Sequence, residues 1–123
     1  MYSLGFLGAG WMGGAILGGV KEHSEDTACL FFDVSESRCK ELKKKYGIAP
    51  MESIGAVMDE ADAAVIAVKP QVYPSVAEEI SAHYREGQLL ISIMAGISMA
   101  DIGKGLPASA KIIRLMPNMA MTV

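Results

Sequence analysis

At 123 residues, 51% of them hydrophobic, the chain can enclose one core of ordinary domain size and leaves little room for two. A 20% charged fraction and a net charge of -3 supply no basic stripe to draw a phosphate backbone by counterion release, so no nucleic-acid partner is expected. No apolar run approaches the roughly 20 residues that span a bilayer, and residues 1 to 20, broken by seven glycines with no Lys or Arg ahead of Lys21, do not read as a secretory signal. The expectation is a soluble cytoplasmic protein with no membrane partner.

Short apolar runs alternate with amphipathic ones along the chain, the pattern of repeated βα units around a parallel sheet. Leu4 to Leu7 reads as the first strand. A helix from Gly10 to about Glu22 follows, with Met12, Ala15, Ile16 and Gly19 on one side. Ala28 to Asp33 is the second strand. Ser35 can cap a helix running to Tyr46, because its hydroxyl can accept an orphan backbone N–H. Cys39, Leu42 and Tyr46 share that helix's inward face, and Gly47 ends it. A brief third strand at Ile48 to Ala49 and a helix from Ser53 to Ala61 lead to Ala63 to Val68, whose lack of polar alternation marks a strand buried on both faces.

Lys69-Pro70 stops that strand. The next helix runs from about Pro74 to Tyr84, with proline tolerable in its first turn. Leu89 to Ile93 is a strand, Ser98 with Asp101 opens a short helix in capping-box fashion, and Lys111 to Met116 is the last strand. The count is six parallel strands in one domain spanning residues 1–123, a doubly wound α/β sheet of the Rossmann type in the order 3-2-1-4-5-6. Ligands on such sheets sit beyond the carboxyl ends of the strands, where the order reverses.

Gly8-Ala9-Gly10-Trp11-Met12-Gly13 matches GxGxxG and stands where that motif needs to stand, after a strand and opening a helix. Gly8 permits the tight turn, Gly10 lets the backbone approach a pyrophosphate, and Gly13 lets helix pack closely on strand. The helix amino terminus offers free N–H groups and a partial positive charge to phosphate. Asp33 ends the second strand 20 residues after Gly13, where a carboxylate can accept from the adenosine ribose hydroxyls or serve only as a turn residue. Asp33 alone favours NAD. Ser35, Ser37 and Arg38 can instead hold the 2′-phosphate of NADP if Asp33 swings aside, or merely cap and solvate the helix. The cofactor is NAD or NADP, with a slight lean to NAD.

Cys29 and Cys39 lack CxxC spacing and nearby His, and read as buried or idle thiols rather than metal or redox groups. His23 and His83 read as surface residues on helices, so no metal site and no general acid are expected on this chain. The nine methionines are mostly core filler, although Met116, Met119 and Met121 cluster near the last residue.

Four segments occur in order: Gly5-Phe6-Leu7-Gly8-Ala9-Gly10-Trp11-Met12-Gly13-Gly14-Ala15-Ile16, Ala67-Val68-Lys69-Pro70-Gln71, Ser92-Ile93-Met94-Ala95-Gly96-Ile97-Ser98 and Ile113-Arg114-Leu115-Met116-Pro117-Asn118. Together they resemble the pyrroline-5-carboxylate reductases, over the whole chain. The resemblance implies a cofactor-binding run at Leu7, Gly8, Ala9, Gly10, Trp11, Met12 and Gly13. It also implies that Ala67, Val68, Lys69 and Pro70 line the ribose region through their backbone. Ala95 and Gly96 would pass beside the nicotinamide ring, and Asn118 would orient groups at that end. Met119 and Ala120 depart from the Thr-Pro with which the family usually continues.

The implied reaction is hydride delivery from NAD(P)H to the C=N carbon of pyrroline-5-carboxylate, a small imino acid, giving proline. Family members carry a second, helical domain that binds the substrate carboxylate and makes the dimer. Nothing in these 123 residues corresponds to it, so the isolated chain is expected to bind dinucleotide without turnover, and a homo-oligomer is expected at full length. The alternatives are an oxidoreductase of the hydroxyisobutyrate-dehydrogenase type, a reductase coupling the deazaflavin F420 to NADP, and a free-standing nucleotide sensor.

Overall fold

The computed structural model describes residues 2–116. Its sheet is built from β1 (Tyr2–Leu7), β2 (Thr27–Phe32), β3 (Ala63–Ile66), β4 (Leu89–Ser92) and β5 (Lys111–Arg114), all parallel, in the order β2-β1-β3-β4-β5. The helices are α1 (Trp11–His23), α2 (Glu36–Tyr46), α3 (Ile54–Glu60), α4 (Tyr73–His83) and α5 (Met99–Gly103). None of them is long and apolar enough to cross a membrane.

Side chains alternate across the sheet and separate two cores, as a period of two requires. Phe6, Phe31 and Val65 point to one face, where they meet Leu17 of α1 and Leu42 of α2. Leu7, Ala64, Ile66 and Leu90 point to the other, where Val57 and Met58 of α3, Ile80 of α4 and Ile102 of α5 cover them. All four residues of β3 are buried, which explains its unbroken apolar sequence.

The doubly wound parallel sheet is the expected one, but it holds five strands among the described residues rather than six. Ile48 and Ala49 run as loop. Pro50 follows them without an N–H to donate, and the segment touches the β2 edge through Met51, whose N–H donates to the Phe31 carbonyl at 2.7 Å. Ile48 still packs on the α1–α2 core. Removing that short strand from the order 3-2-1-4-5-6 leaves the observed arrangement. The last strand also stops at Arg114, short of Met116.

A second correction concerns α1. Its buried residues are Gly13, Gly14, Leu17 and Gly18, whereas Ala15 and Gly19 are exposed and Met12 and Ile16 lie at the margins. A Cβ on Gly13 would stand 2.7 Å from the Ala67 methyl, and one on Gly18 would stand 2.1 Å from the Tyr46 hydroxyl oxygen. The helix therefore packs through its glycines, closer than any side chain allows.

The capping expectations hold. The Ser35 hydroxyl accepts from Arg38 N–H at 3.2 Å, and Ser98 does the same for Asp101 at 3.1 Å. Gly47 closes α2 in the left-handed conformation with φ 71°. Leu42 is buried on the inner face of α2, flanked by half-buried Cys39 and Tyr46. Burial pushes the Cys29 thiol up, with Lys21 partly offsetting it, so this cysteine is held in its unreactive form. His83 does more than face solvent, for its Nδ1 lies 2.9 Å from Asp59 Oδ1 and so ties α4 to α3.

Candidate functional site

The sheet order reverses between β1 and β3, and a cleft of about 520 Å³ opens there, beyond the carboxyl ends of those two strands. Gly8, Gly10 and Trp11 form one wall, Asp33, Ser35 and Arg38 a second, and Ala67, Val68 and Lys69 a third. Nine of the residues singled out from the sequence are thus brought together by folding.

Gly8 turns the chain out of β1 with φ 86°, and its N–H donates to the Phe32 carbonyl at 2.8 Å. A Cβ there would sit 2.9 Å from both the Val68 nitrogen and a Val68 methyl, so sterics and dihedral both demand glycine. Gly10 is different. It is the N-cap of α1 in an extended conformation, without a side-chain cap, and an added Cβ would meet no protein atom within 4 Å. The protein itself has no packing need for glycine at that point. A ligand approaching the helix amino terminus does, because any side chain would stand between it and the N–H groups.

Two side chains grip the loop between these glycines. Asp33 Oδ2 accepts from Ala9 N–H at 2.8 Å, while its Oδ1 accepts from Ser35 N–H at 2.8 Å. Arg38 donates through Nε to the Ala9 carbonyl at 2.6 Å and through Nη2 to the Gly10 carbonyl at 3.3 Å. Its Nη1 pairs with Glu41 at 2.7 Å. Ser35 and Ser37 share a hydroxyl–hydroxyl hydrogen bond of 3.0 Å beside this cluster.

Other singled-out residues have structural posts. Leu7 and Ala9 are fully buried, Gly13 packs against Ala67 just past the end of β3, and Met12 is half-buried. Pro70 begins the turn into α4, where its carbonyl accepts from Tyr73 N–H at 3.2 Å. Ala95 and Gly96 follow β4 at the same carboxyl edge, exposed, but do not line the cleft. Asn118 lies outside the described residues, as do Met119 and Met121.

Reading by motif missed the apolar lining. Phe32, Val34, Ile54, Val72 and Val76 also face the cleft, and Val34 is 81% exposed beside Asp33. Val72 and Val76 carry a legible signal, an i, i+4 apolar pair where α4 starts at the switch point. Such a wall suits the flat face of a heteroaromatic ring.

Residues 3–96 match the family described as NADP oxidoreductase, coenzyme F420-dependent. The chain is 34% identical to a pyrroline-5-carboxylate reductase of Methanosarcina acetivorans over 98% of its own length, and 34% identical to that of Escherichia coli over 94%. It covers 45% and 44% of those proteins, so it spans a little under half their length. Among solved structures, a pyrroline-5-carboxylate reductase from Coxiella burnetii superposes over 94% of this chain and 44% of that one, with a TM-score of 0.86 and 29% identity. The Plasmodium falciparum pyrroline carboxylate reductase with NADP bound superposes over 95% of this chain and 42% of that one, with a TM-score of 0.77 and 28% identity.

Proposed function

This chain belongs to the coenzyme F420-dependent NADP oxidoreductase family, and from that premise we propose that it is the dinucleotide-binding part of an enzyme reducing 1-pyrroline-5-carboxylate to L-proline with NAD(P)H. The observation that carries the reading is the mouth of α1. Its N-cap glycine leaves the first-turn N–H groups open to the cleft where protein packing asks for no glycine.

Those N–H groups would hold the pyrophosphate, and the apolar wall of Val34, Val72 and Val76 would take the adenine side. Lys69 on the rim adds a positive charge close to the phosphates. When bound, the dihydronicotinamide supplies the hydride that reduces the C=N carbon; the chain's own residues bind, orient and exclude water. The imino-acid substrate is favoured by identities of 34% to named reductases, against 15% and 20% for the superposed prephenate and 3-hydroxyisobutyrate dehydrogenases, whose likeness is one of fold.

Trp11 is the chain's single tryptophan and stands 78% exposed on the cleft wall, so its emission reports occupancy directly. NADH is expected to quench it through energy transfer, saturably. Absence of quenching and of heat with both NADH and NADPH would overturn the binding part. The substrate part is tested by a chimera in which this chain replaces the matching segment of the Escherichia coli reductase. A folded chimera that binds NADH yet forms no proline would sink it.

A further inference from the structure

Ala9 is fully buried, and both of its backbone polar groups are met by side chains from beyond β2 rather than by the sheet. The carbonyl side is the informative one. A trans peptide is planar with its C=O and N–H opposed. Whatever holds the Ala9 and Gly10 carbonyls therefore fixes where the Gly10 and Trp11 N–H groups point: Arg38 holds the Ala9 carbonyl at 2.6 Å and adds a bond of 3.3 Å to the Gly10 carbonyl, which also accepts from Gly14 N–H at 2.7 Å.

The guanidinium reaches them through a notch. A Cβ on Gly14 would lie 1.9 Å from Arg38 Nη2, so this fourth glycine of the run, outside the GxGxxG spacing, is empty because Arg38 passes over it. All three guanidinium nitrogens are engaged within the chain, two on the loop and one on Glu41. These bonds use three of its five N–H groups, and the hold on the loop runs through Nε and Nη2.

We infer that Arg38 is a positioning residue: seated in the Gly14 notch, it aims the Gly10 N–H, and together with the first turn of α1 the Trp11 N–H, at the pyrophosphate and so serves NADH and NADPH equally, rather than reading the 2′-phosphate. The inference rests on the dinucleotide reading above. It reverses what a basic residue just after the second strand suggests from sequence, namely an NADP-specific contact.

The test uses Arg38→Met, Arg38→Lys and Gly14→Ala, with dissociation constants for both coenzymes and backbone amide NMR order parameters of Gly10 and Trp11 in the coenzyme-free protein. Gly14→Ala keeps the charge and displaces only the far end of a flexible side chain, in a helix that alanine favours, so it folds. All three variants are expected to weaken NADH and NADPH by about tenfold each, leaving their ratio within about twofold of wild type, and to lower the order parameter at Gly10 most and at Trp11 less. Arg38→Lys does not rescue, because an ammonium has no fork to span two carbonyls. A loss confined to NADPH in Arg38→Met, recovered by Arg38→Lys, would overturn the inference, as would a Gly14→Ala variant that binds like wild type. Should the wild type bind neither coenzyme, the dinucleotide reading fails by itself. The positioning role is then judged from the order parameters, and unchanged values in the variants would end it.

Discussion

Gly8 and Gly10 stand two residues apart in one motif, yet lack side chains for opposite reasons. At Gly8 the protein forbids one, through a left-handed dihedral and a backbone nitrogen 2.9 Å from the Cβ position. At Gly10 the protein is indifferent. Gly8→Ala is therefore expected to lower stability in urea unfolding by roughly 2–4 kcal/mol, from strain and backbone clash together. Gly10→Ala is expected to leave stability within about 1 kcal/mol while weakening NADH by tenfold or more. Equal stability losses at the two positions would contradict this division. Spacing alone made the turn at Gly8 and the close packing at Gly13 legible, because each acts on its immediate chain neighbourhood or the adjoining strand. The role of Gly14 was not legible: the guanidinium that fills its place belongs to another helix, and hydropathy patterns carry no sign of how far an arginine reaches. Asp33 does line the cleft, but its two backbone partners, Ala9 and Ser35, follow from the folded loops and not from its spacing to the glycines.

Strands and caps were the most readable elements, since unbroken apolar runs and Ser or Gly at helix ends are local signals. The face of α1 was not. A periodic reading puts the bulky residues Met12 and Ile16 inside, but a helix pressed against its sheet at close range turns its glycines inward and moves the larger residues to the flanks. Adjacent glycines in α1 then make opposite predictions. Gly18→Ala drives a methyl against the Tyr46 ring and hydroxyl of α2, and is expected to cost about 1–3 kcal/mol despite the better helix former. Gly19→Ala meets nothing within 4 Å, and is expected to stabilise by about 0.5–1 kcal/mol through helix propensity alone. Urea midpoints moving in the same direction for the pair would show that α1 does not rest on α2 through this stripe. The vanished strand at Ile48 and Ala49 is the converse case. Two apolar residues looked like a strand by composition, but Pro50 breaks the hydrogen-bond ladder and the pair serves packing instead.

At the scale of the molecule, the cleft is placed by topology: β1 and β3 send their connections to opposite faces, and the crevice lined by Gly8 and Val68 is what remains. A ligand bound there touches loops from β1, β2 and β3 together, so occupancy stabilises the fold as a unit. At a concentration one hundred times the dissociation constant, linkage gives about 2.7 kcal/mol, and for a domain of this size a rise in Tm of roughly 10 °C. Binding and reduction separate at this point. The cleft's Asp33 carboxylate is engaged by two N–H groups, its Arg38 by two carbonyls and Glu41, and Lys69 stands exposed on the rim. Asp33 and Arg38 are thus already occupied by the loops, and the pyrroline-5-carboxylate reductases that the chain matches are more than twice as long as it is. Residues 1–123 are expected to show the full NADH-dependent rise in Tm while forming no proline from pyrroline-5-carboxylate under the same conditions. Sustained proline formation by this chain alone would mean that the proton donor lies within it, and would move the search for that group to the rim around Lys69.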